Sequence, residues 1–254
     1  MKHWRFSRRT SWAPVVIVIS VCLILTAALA RASAEEAPPE RLTIVVFGDS
    51  QGRGIAEGLQ RVLIDDTRFK VLNRTHPGAA FVHGEAEWIA PIRKFQSQEK
   101  ADIAIVMFGA NDRLDMREGD AATYLHFKTP AWRDEYARRT DMVLKTLVDS
   151  GLKVIWCGNP IARSDTYSSD MSYINQIFAE RAEAFGVRFL PLWEIGAGEG
   201  GKYAAYGRDL GGVTRRLRAD DGIHFTTAGY ELIAEKIASL FPARAADEQP
   251  PKEP

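Results

Sequence analysis

The sequence predicts an α/β domain built on a mostly parallel sheet with helices on both faces. Three observations carry this. Short apolar runs alternate with stretches of helical periodicity along most of the 254 residues. Two of those runs, 103–108 and 153–158, are apolar almost throughout, as strands buried on both faces must be. Between residues 42 and 241 there is no repeat and no second shift of composition, so one domain accounts for the whole stretch.

The elements follow in order. Residues 43–47 are a short β-rich run, and 54–63 place Ile55, Leu59, Val62 and Leu63 on one side of a helix. A second strand falls at 70–73 and a buried one at 103–108. A long amphipathic helix at 132–148 is ended by Gly151, and the buried strand 153–158 follows. Residues 172–185 read as a helix with Gly186 as its stop, 187–190 as a short strand, and 227–240 as a final helix. In such sheets ligands sit beyond the carboxyl ends of the strands. Ser50 and the Gly109-Ala110-Asn111-Asp112 turn both follow strands, so both are expected at one crevice.

The amino terminus reads as a targeting segment. Lys2, Arg5, Arg8 and Arg9 precede an apolar run at 13–30, and Ala32-Ser33-Ala34 closes it. A signal peptide over 1–34 and an extracytoplasmic mature protein, periplasmic or secreted, are expected; an uncleaved membrane anchor is the alternative. Residues 35–41 read as a linker and the proline-rich 242–254 as a disordered tail. The whole chain has 33 basic and 33 acidic residues, and 1–34 hold five of the basic ones (Lys2, Arg5, Arg8, Arg9, Arg31) and none of the acidic. The remainder carries a formal charge of −5, which gives no general pull toward nucleic acid. Cys22 lies in the segment, so Cys157 is the one cysteine after cleavage, set in an apolar run and expected to be a buried inert thiol.

The stretch Val45-Val46-Phe47-Gly48-Asp49-Ser50-Gln51-Gly52-Arg53-Gly54 admits two chemistries. Gly52, Gly54 and Gly58 resemble a dinucleotide turn, but no acidic residue ends the strand at 70–73 to hold a ribose, and no G-K-[ST] is present. The other chemistry is nucleophilic. A serine needs a base to take its proton, and the chain beyond residue 34 has four histidines: His76, His83, His126 and His224. Asp221 stands three residues before His224, within reach of the ring nitrogen that faces away from a serine, with Asp220 as the competing choice. An Asp-His pair before a helix is otherwise a capping arrangement. Asn111 can aim an amide at a developing oxyanion, or serve only as a turn residue. There is no H-E-x-x-H and no paired cysteine, so no metal is implied. Asp112, Asp115, Glu118 and Asp120 read as a solvated acidic loop that misses the spacing of a calcium-binding loop.

Taken together, Gly48-Asp49-Ser50, Gly109-x-Asn111-Asp112 and Asp221-x-x-His224 resemble, in order, three signature blocks of the SGNH hydrolase superfamily of GDSL-type esterases. Phe47-Gly48-Asp49-Ser50, the helix bearing Trp132, Tyr136 and Arg139, and Asp221-Gly222-Ile223-His224-Phe225-Thr226 are similar to a bacterial branch of unknown function, DUF459. The resemblance implies a three-layer, flavodoxin-like α/β/α sandwich. It implies Ser50 as nucleophile, His224 as base and Asp221 as its orienter. It implies an oxyanion site of the Ser50 amide, Asn111 and Gly78, with Ala79 or Ala80 as alternatives to Gly78. The resemblance further implies an exported serine esterase without cofactor, acting on short acyl esters, acetyl above all, of small-molecule or carbohydrate substrates. Two other readings stand beside it: an O-acetyltransferase with a membrane acyl-donor partner, and a carbohydrate-binding or scaffold module. His76 and His83 are expected at the surface or on the substrate side.

Overall fold

The computed structural model describes residues 41–117 and 123–241, together with Met1. The chain divides into two units, Met1–Glu40 and Arg41–Pro254, and every described element lies in the second. The expected signal segment beyond Met1, residues 35–40 of the linker, Glu118 and Asp120, and the tail from 242 lie outside the described residues. Among the described residues no helix is long and apolar enough to cross a membrane.

Strand β1 (Leu42–Gly48) runs directly into helix α1 (Ser50–Val62), and β2 (Phe69–Asn73) follows. Two short helices, α2 (Glu85–Trp88) and α3 (Ala90–Gln98), lead to β3 (Ile103–Met107). A small hairpin of β4 (Met116–Arg117) and β5 (Tyr124–Leu125) precedes the long helix α4 (Pro130–Asp149). Then come β6 (Lys153–Cys157), α5 (Asp165–Ala184) and β7 (Arg188–Leu190). A second hairpin, β8 (Tyr206–Arg208) and β9 (Thr214–Arg216), precedes α6 (Thr227–Ala238). The five main strands form one parallel sheet in the order β2-β1-β3-β6-β7.

Alternation along the strands builds two cores. Val45, Phe47, Ala104, Val106, Val154 and Trp156 face one way, against Phe95 of α3, Leu144 of α4 and Phe178 of α5. Ile44, Val46, Ile105, Met107, Ile155 and Cys157 face the other, against Leu59 of α1 and Ile233 of α6. The result is the three-layer α/β/α fold with a parallel centre that the sequence predicts. Cys157 is buried, and burial pushes its thiol up to about 12, so it stays protonated.

Two close approaches explain the glycines around Ser50. Gly48 has φ +154°, and a Cβ there would lie 2.0 Å from the Met107 carbonyl oxygen, which accepts the Asp49 amide at 3.0 Å. Only glycine lets β1 come this close to the end of β3. Gly54 and Gly58 form a notch for α6. A methyl on Gly54 would lie 2.0 Å from Tyr230 Cζ, and one on Gly58 2.6 Å from the Tyr230 carbonyl oxygen. The spacing that resembles a dinucleotide turn is thus accounted for by helix packing. The helix also begins at Ser50, four residues before the sequence places it. The Asp49 side chain accepts the Gln51 amide at 2.8 Å and caps it, and burial of Gln51, Gly52 and Gly54 outweighs the poor helix propensity of glycine.

One further expectation is corrected. Asp112 is not part of a solvated acidic loop but is fully buried. It accepts the Val82 amide at 3.0 Å and the Tyr136 hydroxyl at 2.8 Å. Asp115 does sit at the surface, against His126 at 2.7 Å. On α4, Trp132, Tyr136 and Arg139 share one face, and each reaches a loop at the top of the sheet. Trp132 Nε1 donates to the Leu114 carbonyl at 2.9 Å, Tyr136 donates to Asp112, and Arg139 Nη1 donates to the carbonyls of Phe81 and His83. That stripe holds the loops after β2 and β3 in place.

Asp49, also fully buried, accepts the amides of Gln51 and, at 3.2 Å, Ala110. Desolvation outweighs those hydrogen bonds and, with Asp112 nearby, pushes its carboxyl up to about 7. Desolvation likewise pushes Asp112 up to about 6 against the bonds from Val82 and Tyr136.

Two predictions follow from this packing. Gly54→Ala drives a methyl into the Tyr230 ring and is expected to cost about 1–3 kcal/mol of stability, read by urea unfolding. Were the glycine there to admit a bound phosphate, unfolding would be unchanged. The second concerns pH. A carboxyl whose folded-state pKa is raised binds more protons folded than unfolded, so its contribution falls as pH rises from about 4 through the raised value. Asp112→Asn removes that ionisation. The loss of stability between about pH 5 and about pH 8 should therefore be smaller in the variant than in the parent. Equal losses would mean that Asp112 does not titrate in this window.

Candidate active site

Ser50 is the first residue of α1, just beyond the carboxyl end of β1. Its Oγ lies 2.8 Å from His224 Nε2. His224 Nδ1 lies 2.6 Å from Asp221 Oδ2, and Asp221 Oδ1 accepts the amides of Ile223 (2.8 Å) and His224 (2.9 Å). Desolvation works against the Asp221 charge, but the bonds from the His224 ring and the two amides outweigh it and hold the carboxyl down at about 2. Asp221 is therefore ionised at any ordinary pH and fixes a proton on Nδ1, which leaves Nε2 free to accept one from the serine. Asp220, the competing carboxylate, pairs instead with Arg216. The cap of α6 is supplied by Thr226, whose hydroxyl accepts the Gly229 amide, so the Asp221–His224 pair is not spent on capping.

Asn111 follows β3, in the loop whose Ala110 amide donates to Asp49, the residue before Ser50. Its Nδ2 donates to the Ala79 carbonyl at 3.1 Å, and an amide group carries a second hydrogen. Gly78 is exposed in the loop after β2. The Ala79 amide donates to the His76 carbonyl at 2.9 Å and is already engaged. The Ser50 amide lies in the first turn of α1, where backbone N–H groups and the helix dipole favour negative charge. His76 and His83 are both exposed, and His83 Nδ1 lies 2.6 Å from Glu87. Among the described residues no group of three or more His, Cys, Asp or Glu side chains is arranged to hold a metal ion.

Three residues to which the sequence alone assigns no role support the histidine. Gln51, buried next to Ser50, donates through Nε2 to the Ile223 carbonyl at 2.7 Å and accepts the Tyr230 hydroxyl at 2.9 Å. Arg218, fully buried, donates to the same Ile223 carbonyl at 2.8 Å and to the Ile161 carbonyl at 2.7 Å. Its guanidinium stacks 4.1 Å from the centre of the Phe225 ring. The residue before His224 is thus gripped by Gln51 of α1 and by Arg218. The available signal was a polar Gln51 directly beside the serine, at the start of an otherwise buried turn. Nothing in the local sequence marks Arg218 or Tyr230.

The arrangement is suited to proton removal from a hydroxyl, with an anion-favouring helix start beside it. Comparison with solved structures finds the same architecture. An alpha/beta hydrolase enzyme from the metagenome of Lake Arreo, Spain, is 17% identical, with 80% of this chain and 95% of that chain covered and a TM-score of 0.55. The lipopolysaccharide acetyltransferase periplasmic domain of Salmonella ser. Paratyphi A is 15% identical over 90% of this chain and 97% of that one, with a TM-score of 0.53. A carbohydrate acetylesterase from Sinorhizobium meliloti is 14% identical over 79% and 100%, with a TM-score of 0.51. At such identities the likeness is one of fold. Comparison with curated proteins finds no match. The family described as a protein of unknown function, DUF459, matches residues 43–240, and the chain belongs to that family.

Proposed function

We propose that the protein is an ester-acting serine enzyme that works through an acyl-enzyme on Ser50. The observation that carries this reading is the unbroken relay from Ser50 Oγ through both nitrogens of His224 to an ionised Asp221. In this mechanism His224 Nε2 takes the Ser50 proton as Oγ attacks the ester carbonyl. Asp221 steadies the imidazolium that forms. The oxyanion is met by the Ser50 amide, the second hydrogen of Asn111 Nδ2 and the Gly78 amide. Collapse breaks the ester C–O bond, and His224 returns its proton to the leaving alcohol. A water, or a second hydroxyl, then repeats the sequence on the acyl-enzyme.

Short acyl esters of carbohydrate, acetyl above all, are the proposed substrates, a reading supported by the fold shared with the Sinorhizobium carbohydrate acetylesterase. The acetyltransferase reading is favoured by one observation, the 90% of this chain covered by the Salmonella acetyltransferase domain. In that case a sugar hydroxyl replaces water and a membrane partner loads Ser50. The basic start, apolar run and Ala32-Ser33-Ala34 support an extracytoplasmic location for either.

A fluorophosphonate probe is expected to label Ser50, and Ser50→Ala to abolish labelling. His224→Ala should lower ester turnover by about three orders of magnitude or more. Labelling that survives the serine substitution would mean that this site is not the nucleophile. Asn111→Ala tests the oxyanion role on the same samples. Loss of one donor is expected to lower kcat by about a hundred- to a thousandfold, with KM little changed. A variant that melts early yet turns over normally would confine Asn111 to holding Ala79.

A further inference from the structure

The peptide that joins Ile223 to His224 is held on both of its polar edges. Its carbonyl accepts Gln51 Nε2 at 2.7 Å and Arg218 Nη2 at 2.8 Å. Its N–H donates to Asp221 Oδ1 at 2.9 Å. A peptide unit is planar, so donors on one edge and an acceptor on the other fix its orientation, and with it the place of the His224 Cα.

The two donors differ in what they connect. Arg218 also donates to the Ile161 carbonyl, and so ties the turn to the loop after β6. Gln51 is the residue after Ser50, in the first turn of α1, and Asp49 accepts its backbone amide at 2.8 Å. A closed ring results. It runs from Ser50 Oγ to His224 Nε2, back along the chain to the Ile223 carbonyl, across to Gln51 Nε2, and along the backbone to Ser50. The Gln51 side chain is the strut of that ring, and its reach sets how far the base stands from the nucleophile.

The sense of these bonds is forced. A carbonyl can only accept, so the NH2 end of Gln51 must face Ile223 and its oxygen must face Tyr230. The Tyr230 hydroxyl, 2.9 Å away, is then the donor. Burial pushes the Tyr230 pKa up, so the hydroxyl keeps the proton this requires. The ring lies over Gly54, in the notch that fixes α6 on α1. Gln51 is itself buried, so losing either bond leaves one end of its amide unpaired away from water. Resting on the esterase reading above, we infer that Gln51 is a positioning residue for proton transfer from Ser50 to His224, and that Tyr230 acts through it by locking its amide.

The test uses the full-chain protein and para-nitrophenyl acetate. Gln51→Met keeps the bulk and removes both bonds. kcat should fall by about ten- to a hundredfold with KM changed by less than about twofold, because a displaced base slows acylation and deacylation alike and no substrate contact is lost. Inactivation of Ser50 by a fluorophosphonate should slow with it, since the same proton must be removed. Tyr230→Phe keeps the ring in its notch and should lower kcat by about three- to tenfold, again with KM little changed. Added to Gln51→Met, Tyr230→Phe should change kcat by less than about twofold, since no amide is left to lock. A Gln51→Met enzyme with parental kcat overturns the assignment, even if it melts early. So does a loss confined to KM, which would put Gln51 against substrate, and so do losses that multiply in the double variant. Should Gln51→Met not fold, Tyr230→Phe decides: a fall in kcat with KM kept supports the assignment, and an unchanged kcat overturns it. In every one of these cases Ser50-dependent turnover by the parent leaves the esterase reading standing. No turnover and no labelling of Ser50 in the parent would remove both.

Discussion

A single buried carboxyl group holds the top of this sheet together. Asp49 has no access to water, yet it must find partners for its oxygens, because an unpaired polar group in the interior is costly. It finds them in two different places: the first turn of the helix it starts, and the amide of Ala110 in the loop after β3. Those bonds lock the serine turn to the loop that carries Asn111. Gly48 is the geometric condition for this, since any side chain there would push β1 away from Met107. Asp112 repeats the device one loop further out and joins Val82 to α4 through Tyr136. The crevice is therefore positioned by interior polar groups, and the apolar cores beneath supply the bulk of the cohesion.

The parts legible in the sequence are those where the local pattern and the tertiary demand agree. Residues 103–108 and 153–158 could be assigned because strands covered on both faces need apolar residues at every position. The final helix begins at Thr227 in both reading and structure. Ser50, Asn111, Asp221 and His224 could be singled out because each follows a strand or turn in a short motif, and the structure brings Ser50, His224 and Asp221 within hydrogen-bonding distance. The illegible parts are those decided by contacts distant in sequence. Helix α5 starts at Asp165 rather than 172, because Ser164 caps it by accepting the Tyr167 amide, and the Ser-rich opening turn shows little periodicity. Helices α2 and α3 are too short for a periodic signal. The two hairpins have strands of two or three residues.

Asp112 shows the limit most clearly. Beside Asn111, Asp115, Glu118 and Asp120 it looks like one more charge of a wet loop. Its burial depends on Tyr136, 24 residues away, and on a loop amide 30 residues away. Gln51 is similar: a polar residue on a glycine-rich turn, whose two partners lie 172 and 179 positions further along. No window of local sequence contains such information, and only the folded sheet brings the partners within bonding distance.

Those separations bear on how the protein comes into being. The notch at Gly54 and Gly58 is filled by Tyr230 near the carboxyl terminus, and Ser50 meets His224 across 174 residues. A growing chain can lay down β1, β3 and β6 and their covering helices α3 to α5 while the opposite face of the sheet still lacks α6. During that interval Ile44, Val46 and Ile105 have only α1 over them, and Ser50 lacks its partner His224. Contacts this distant are slow to form, because loop closure must precede them. The Ser50–His224 contact thus arrives last, with the closing helix, and a chain that stops short of it leaves one face of the sheet half covered.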